Sequence, residues 1–373
     1  MLYPLYAAQW NLPAIVTTSV FAVYPLALLI VLLFFGSLSD VIGRRRAILL
    51  GVGLIAVSAI VFALAPNVAF LYFGRVLQGV GTGFAIGAAS AALVENNYFG
   101  NPRIASTLTT ISTSTGLTLA LLVSGVLAQL APLPLVLSFG VLFLLSLLAF
   151  VLNFFAPHDQ RVGGTWSFTV PRIAPGMARV FVIATLGVAL AYSVGAMFLS
   201  LGAQMAREFT GTTDLIVIGV LLGTSSLTIG LTALFLSRVH SHVAIIIGGV
   251  LSLVGLGFMA ASSVTGSIGW LLAWCIVGGV GYSFAFTGGL GMINRAAPAQ
   301  HRGATLSLLY LFAYLLQALT AVGAGALATN LGLQDAVEIA APAVGLVCLA
   351  AIVLAVIDLS ASRRLAARPA LGR

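Results

Sequence analysis

Arg75 is the one charge set deep inside an apolar run, and an ionised guanidinium at that depth is by default a functional group. It opens a row of Arg75, Gly79, Gly83, Gly87 and Ala91, spaced by four and therefore on one helical face. Small residues at that spacing let a neighbouring helix come close. The row predicts a smooth stripe packed on another helix, with Arg75 turned to the interior of a bundle. Two readings stand for it: a functional charge facing the bundle interior, or a structural arginine that caps a carbonyl.

A second set of residues could meet a solute. Tyr310, Tyr314 and Gln317 share a helical face, and Trp274 and Tyr282 lie on the preceding apolar run. Rings lining a cavity would suit an apolar or amphipathic compound, and rings packed in a core would look the same in sequence. Other chemistry is thin. His240 and His242 lack a third ligand and read as a polar loop with no metal site. Cys275 and Cys348 lie in apolar runs and read as packing thiols. Gly79, Gly81 and Gly83 have the wrong spacing for a dinucleotide fingerprint and follow no strand. No Ser/His, His/Glu or metal-ligand set lies at bilayer depth, so nothing supports an enzyme, and no cofactor is implied. All eight acids sit near run ends or in loops, so no embedded carboxylate is available to carry a proton.

The elements that must position these residues are apolar runs. The chain is 61% hydrophobic and 6% charged, with a mean hydropathy of +1.16, whereas ordinary domains carry about 25% charged residues. Eleven runs are long enough to cross a bilayer, at 14–35, 47–65, 68–94, 105–130, 133–155, 179–201, 213–237, 243–262, 267–291, 303–328 and 335–358. The net charge of +8 comes from arginines in loops, which speaks for membrane topology and against nucleic acid. The stretch Gly36-Ser37-Leu38-Ser39-Asp40-Val41-Ile42-Gly43-Arg44-Arg45-Arg46 joins two runs and belongs on the cytoplasmic side. With it inside, so are Arg103, Arg161, Arg172, Arg179, Arg238, Arg295, Arg302 and the tail arginines Arg363, Arg364, Arg368 and Arg373, while Arg207 alone is outside. The C-terminus is then cytoplasmic.

The chain also repeats itself. Arg103-Ile104-Ala105-Ser106-Thr107-Leu108 recurs as Arg302-Gly303-Ala304-Thr305-Leu306, and Ala47-Ile48-Leu49-Leu50-Gly51 as Ala244-Ile245-Ile246-Ile247-Gly248. Two related halves follow, 1–155 and 179–358, with a polar linker over 156–178 and a basic tail over 359–373. The run at 179–201 has only Met1 to Tyr6 as its counterpart in the first half. The expectation is that most of a first helix precedes this sequence.

The Gly36–Arg46 stretch resembles the loop signature of the major facilitator superfamily, Gly-x-Leu-x-Asp-x-x-Gly-Arg-Arg/Lys, filled by Gly36, Leu38, Asp40, Gly43, Arg44 and Arg45. It lies between the second and third helices, as in the family, and the eleven runs match helices two to twelve. Arg75, Gln78 and Gly79 are similar to a second family signature, Arg-x-x-Gln-Gly. The resemblance implies an all-α membrane protein of two pseudo-symmetric helical bundles, a monomer in the cell membrane that moves a small solute by alternating access. It also implies that the Asp40/Arg44 cluster stabilises the outward-facing state and that Arg75 serves proton-linked transport. Glu95, at the cytoplasmic end of its run, is the candidate partner for Arg44, and the plainer reading of the three arginines is as topology anchors. Drug antiporters carry Gly-Pro in the helix at 105–130, where this chain has Ala120 and Leu121, so that match is incomplete. The favoured reading is proton-coupled efflux of an apolar or amphipathic compound; the rival is a membrane sensor or an inactive, truncated carrier.

Overall fold

The computed structural model describes residues 2–35, 38–95, 102–156, 173–236 and 239–366. Thirteen helices and no strand occur among them: α1 (Tyr3–Trp10), α2 (Ala14–Phe35), α3 (Leu38–Ile42), α4 (Arg44–Ala63), α5 (Val68–Glu95), α6 (Pro102–Leu130), α7 (Pro134–Phe154), α8 (Ala178–Thr210), α9 (Leu215–Phe235), α10 (Ser241–Thr265), α11 (Ile268–Ala296), α12 (Ala299–Leu331) and α13 (Leu333–Ala366). In hydrocarbon a helix satisfies every backbone group within its own segment, which is why apolar runs of this length fold so. Ten of the described helices are long and apolar enough to span a membrane. The remaining run of the sequence is α5, 28 residues long, which carries Arg75 and Gln78. The chain is a multi-pass membrane protein.

Local chemistry sets the helix ends. The Asp214 carboxylate accepts from the amides of Ile216 at 2.8 Å and Val217 at 3.2 Å, capping α9. Gly211 and Gly266, at φ 65° and 68°, stop α8 and α10 in the left-handed conformation that glycine tolerates. Gly332 alone separates α12 from α13. Pro25 lies inside α2 and is buried there.

The repeat is visible in the packing. Gly51 of α4 and Gly81 of α5 face each other so closely that a Cβ on Gly81 would lie 2.6 Å from the Gly51 carbonyl. Two hundred residues on, a Cβ on Gly281 of α11 would lie 3.1 Å from the carbonyl of Gly248 in α10 and 2.8 Å from the Ser252 amide. In the same way Gly79 lets α5 ride on α2, at Tyr24 and Ala27, and Gly279 lets α11 ride on α9, at Ser225 and Thr228. Among the described residues two extensive contacts join the halves: α2 packs along α12, with a smaller contact to α8, and α6 packs along α9 more than on any helix of its own half.

Candidate functional site

The site is built where these two joints meet mid-depth aromatics. Tyr192 of α8, Tyr282 and Phe286 of α11, and Tyr310 and Tyr314 of α12 all lie near the middles of their helices. The Tyr192 ring is within 4.8 Å of Tyr314, 5.8 Å of Phe286, 6.4 Å of Tyr282 and 6.5 Å of Tyr310, centroid to centroid. Tyr24 of α2 faces Tyr314 from the other half. Tyr282, Tyr310 and Tyr314 keep some exposure, as lining residues do, and the Tyr192 and Tyr314 hydroxyls lie 3.4 Å apart. One turn beyond Tyr314, Gln317 is 8% exposed and its Oε1 has no hydrogen-bond partner. An unsatisfied amide oxygen at that depth is costly, so it is an acceptor waiting for a donor. The cluster offers apolar ring faces, four phenol hydroxyls and one amide.

Of the five residues expected to meet a solute, the structure thus gathers four. Trp274 does not join them: it is 2% exposed, two turns along α11 from Tyr282, and its ring packs on Phe198 at 5.7 Å in the space left by Gly255 and Gly278. Sequence pattern does not single out Tyr192 or Tyr24, because α8 and α2 are apolar on every side and carry no stripe that marks one ring.

Arg75 lies in the first half, away from the arginine-rich end. Its Nη1 donates to Gln78 Oε1 at 2.8 Å, and its guanidinium stands 5.2 Å from the Tyr3 ring and 5.4 Å from the Phe62 ring. Its Nε is buried without a partner. The charge is therefore held by an amide oxygen and two ring faces, turned inward as its row predicts. Gly79 and Gly83 of that row pack on α2, whereas a Cβ on Gly87 would meet nothing within 4 Å. Ala91's side chain lies outside the described residues.

At the arginine-rich end, Gly36 and the side chains of Asp40 and Glu95 also lie outside them, so the expected Arg44–Glu95 pair is not seen either way. Leu38 opens α3, and Gly43 adopts φ 95° to turn the chain into α4. Arg44 Nη1 donates to Ser39 Oγ at 2.6 Å. Arg45 donates from Nε to the Asn153 carbonyl at 3.2 Å and from Nη2 to the Phe154 carbonyl, and its guanidinium lies 5.5 Å from the Phe154 ring. Arg45 thus caps the end of α7, where orphaned carbonyls and the negative dipole end favour a cation. His242, expected in a polar loop, lies in the first turn of α10 and meets Asp358 Oδ2 through Nε2 at 2.6 Å, and Arg179 Nε meets Asp358 Oδ1 at 2.5 Å, so the start of α10 is tied to α8 and α13.

The halves touch from mid-depth to the arginine-poor end. Ser114 Oγ of α6 donates to the Ser226 carbonyl of α9 at 2.9 Å near the middle. At the far end the Leu215 amide donates to Gln129 Oε1 at 3.0 Å, and the Ile15 amide donates to Thr329 Oγ1 at 2.9 Å. These two bonds are related by the repeat, 200 residues apart on both partners. In each, a side chain of one half caps a helix start in the other. Gly125 and Gly325 allow the approach, against Leu215 and Thr18. Between α1, α2 and α8 at this end lies a cleft of about 400 Å³, lined among others by Tyr3, Thr17, Ser200, Gln204, Arg207 and Glu208.

Comparison with known proteins agrees with this architecture. Residues 1–168 match the sequence profile of the Major Facilitator Superfamily. A stretch of 99 residues is 35% identical to a lincomycin resistance protein of Streptomyces lincolnensis, covering 26% of this chain and 20% of that protein. Another of 81 residues is 41% identical to the drug efflux pump JefA of Mycobacterium tuberculosis, covering 22% of this chain and 16% of the pump. One of 59 residues is 44% identical to a D-xylose-proton symporter-like protein of Arabidopsis thaliana, covering 16% of this chain and 12% of that protein. These matches span a fifth or less of the relatives' own lengths. The crystal structure of a variant of the nucleoside transporter NupG superposes with a TM-score of 0.73 over 95% of this chain and 94% of that one, at 15% identity. The first 168 residues of this chain thus match the Major Facilitator Superfamily in sequence, and the chain as a whole shares the fold of the NupG structure.

Proposed function

We propose that the chain is a carrier that moves a small solute across the cell membrane by alternating access, and that the Tyr192 cluster is where the solute rests. The observation that carries this reading is the placement of four tyrosines, Phe286 and the unpartnered Gln317 Oε1 at mid-depth, with two of the tyrosines on α12, the helix along which α2 of the other half packs. Binding at the boundary of two repeats lets a rocking motion expose one site to either face. In this structure the joints close the arginine-poor end. The positive-inside bias makes that end external and puts the C-terminus in the cytoplasm. The division at 156–178 into two bundles fits the same motion.

The solute is apolar or amphipathic, because ring faces dominate the cluster and no ionised group lies in it. Proton-driven efflux is the mode we favour, with Arg75 as the coupling charge; the similarity to a drug efflux pump and to a lincomycin resistance protein supports it. The test uses the full chain in proteoliposomes with an imposed pH gradient and a panel of amphipathic compounds. Solute movement that collapses the gradient, and falls at least about tenfold in Gln317→Leu or Tyr314→Ala, equal to about 1.4 kcal/mol of lost binding, is the expected result. Transport untouched by both substitutions would overturn the assignment of the cluster. No transport of any compound by a correctly folded chain would favour the sensor reading.

A further inference from the structure

Away from the joints, a groove of about 580 Å³ runs between the start of α8 and the end of α13 at the arginine-rich end. Val182 and Ile183 of α8 and Leu354, Ile357 and Ala361 of α13 line it, and Arg179 closes its outer end. Asp358 holds Arg179 through Nε, and His242 occupies the second Asp358 oxygen. Asp358 is therefore 11% exposed while the Arg179 side chain stays 55% exposed, so the guanidinium is oriented yet keeps donors open to an outside acceptor.

We propose that this groove binds an anionic phospholipid, with its phosphate on Arg179 and an acyl chain laid along Val182, Ile357 and Ala361. This rests on the chain's being embedded in a bilayer and not on what the chain carries. The lining is apolar for its whole length and changes to cationic only at the end nearest the membrane surface, the order in which a phospholipid presents tail and headgroup. An arginine fork matches phosphate in a way that a zwitterionic headgroup, with its own ammonium beside the phosphate, partly cancels. Basic pockets between spanning helices recognise anionic headgroups by this chemistry. Asp358 and His242 act as positioning residues, because they fix the direction of Arg179 without reaching the groove.

The experiment is native mass spectrometry of the full chain, purified in detergent and offered phosphatidylglycerol and phosphatidylethanolamine in equal amounts. Preferential retention of phosphatidylglycerol is expected, reduced about fivefold in Arg179→Gln, the factor for one arginine near an anionic headgroup. Ala361→Trp fills the groove with the charges intact and keeps the proposal testable if Arg179→Gln unfolds. It should lower phosphatidylglycerol retention as well. Equal retention of the two lipids by the unaltered chain, or retention indifferent to Ala361→Trp, overturns the proposal. Displacement of the lipid by glycerol phosphate alone would show a bare anion site and overturn it too.

Discussion

The α4–α5 pair of the first half and the α10–α11 pair of the second are one piece of architecture used twice. Both are fastened by glycines facing each other, Gly51 with Gly81 and Gly248 with Gly281, and both seat a third helix on Gly79 or Gly279. Where the packing is the same the chemistry is not. Position 75 holds an arginine among Tyr3, Phe62 and Gln78, whereas position 275 holds a cysteine buried in the continuous core of the second half. The aromatic cluster belongs almost wholly to the second half, with Tyr24 the one ring facing it from the first. The repeat supplies a common scaffold on which the halves have diverged, one around a buried charge and the other around a wall of aromatic rings.

Three experiments bear on that comparison. The largest effect is expected at the shared fastenings: Gly81→Val and Gly281→Val should each cost about 3 kcal/mol, read as lost thermal stability in detergent, because backbone stands where the side chain would go. Gly87→Val, with nothing near its Cβ position, should cost less than about 1 kcal/mol. If only one of the two paired glycines proves sensitive, the halves are not equivalent scaffolds. Next comes the divergent position. Arg75→Ala should cut proton-driven transport at least about tenfold while costing only about 1–2 kcal/mol in stability, the worth of two cation–π contacts. Cys275→Ala should leave transport unchanged. Arg75→Ala with full proton coupling would remove the functional half of the contrast. The smallest effects lie at the two end bonds. Gln129→Ala and Thr329→Val should each loosen the arginine-poor end by about 1 kcal/mol, a fivefold shift in the open-to-closed ratio measured by distances between spin labels there. Their effects should add, since the bonds lie in separate joints. A strongly unequal pair would mean that one joint is the gate and the other a hinge.

Spans, repeat and motif positions were legible in the sequence because each rests on a short-range rule: run length for α2 and for α4 to α13, an offset of about 200 residues for the halves, spacing by four for Arg75, Gly79 and Gly83. What could not be read are pairings between helices distant in sequence. Arg45 looks like a topology anchor until α7 ends beside it, more than a hundred residues later. Asp358 reads as one more acid at a run's end until α8 and α10 bring Arg179 and His242 to it. Trp274 and Tyr282 are equally plausible lining residues on paper, and only the glycines at 255 and 278 send the first into the core. Tyr192 sits in a helix buried all round, where periodicity carries no information.

Pro25 gives the joint between α2 and α12 a mechanical character. A proline has no amide hydrogen, so the carbonyl one turn earlier, at Phe21, loses its helical bond at the depth of the tyrosine cluster. The part of α2 before it is clasped to α12 through Ile15 and Thr18, while the part after it carries Phe34 and Phe35 toward the arginine-rich end. A rod clasped at one end and weakened at its middle bends there, so the far segment, seated on Gly79 and Gly83 of α5, can swing together with α5 while the clasp stays shut. The pivot would then sit beside the solute itself, and a compound resting on Tyr24 would feel the bend directly.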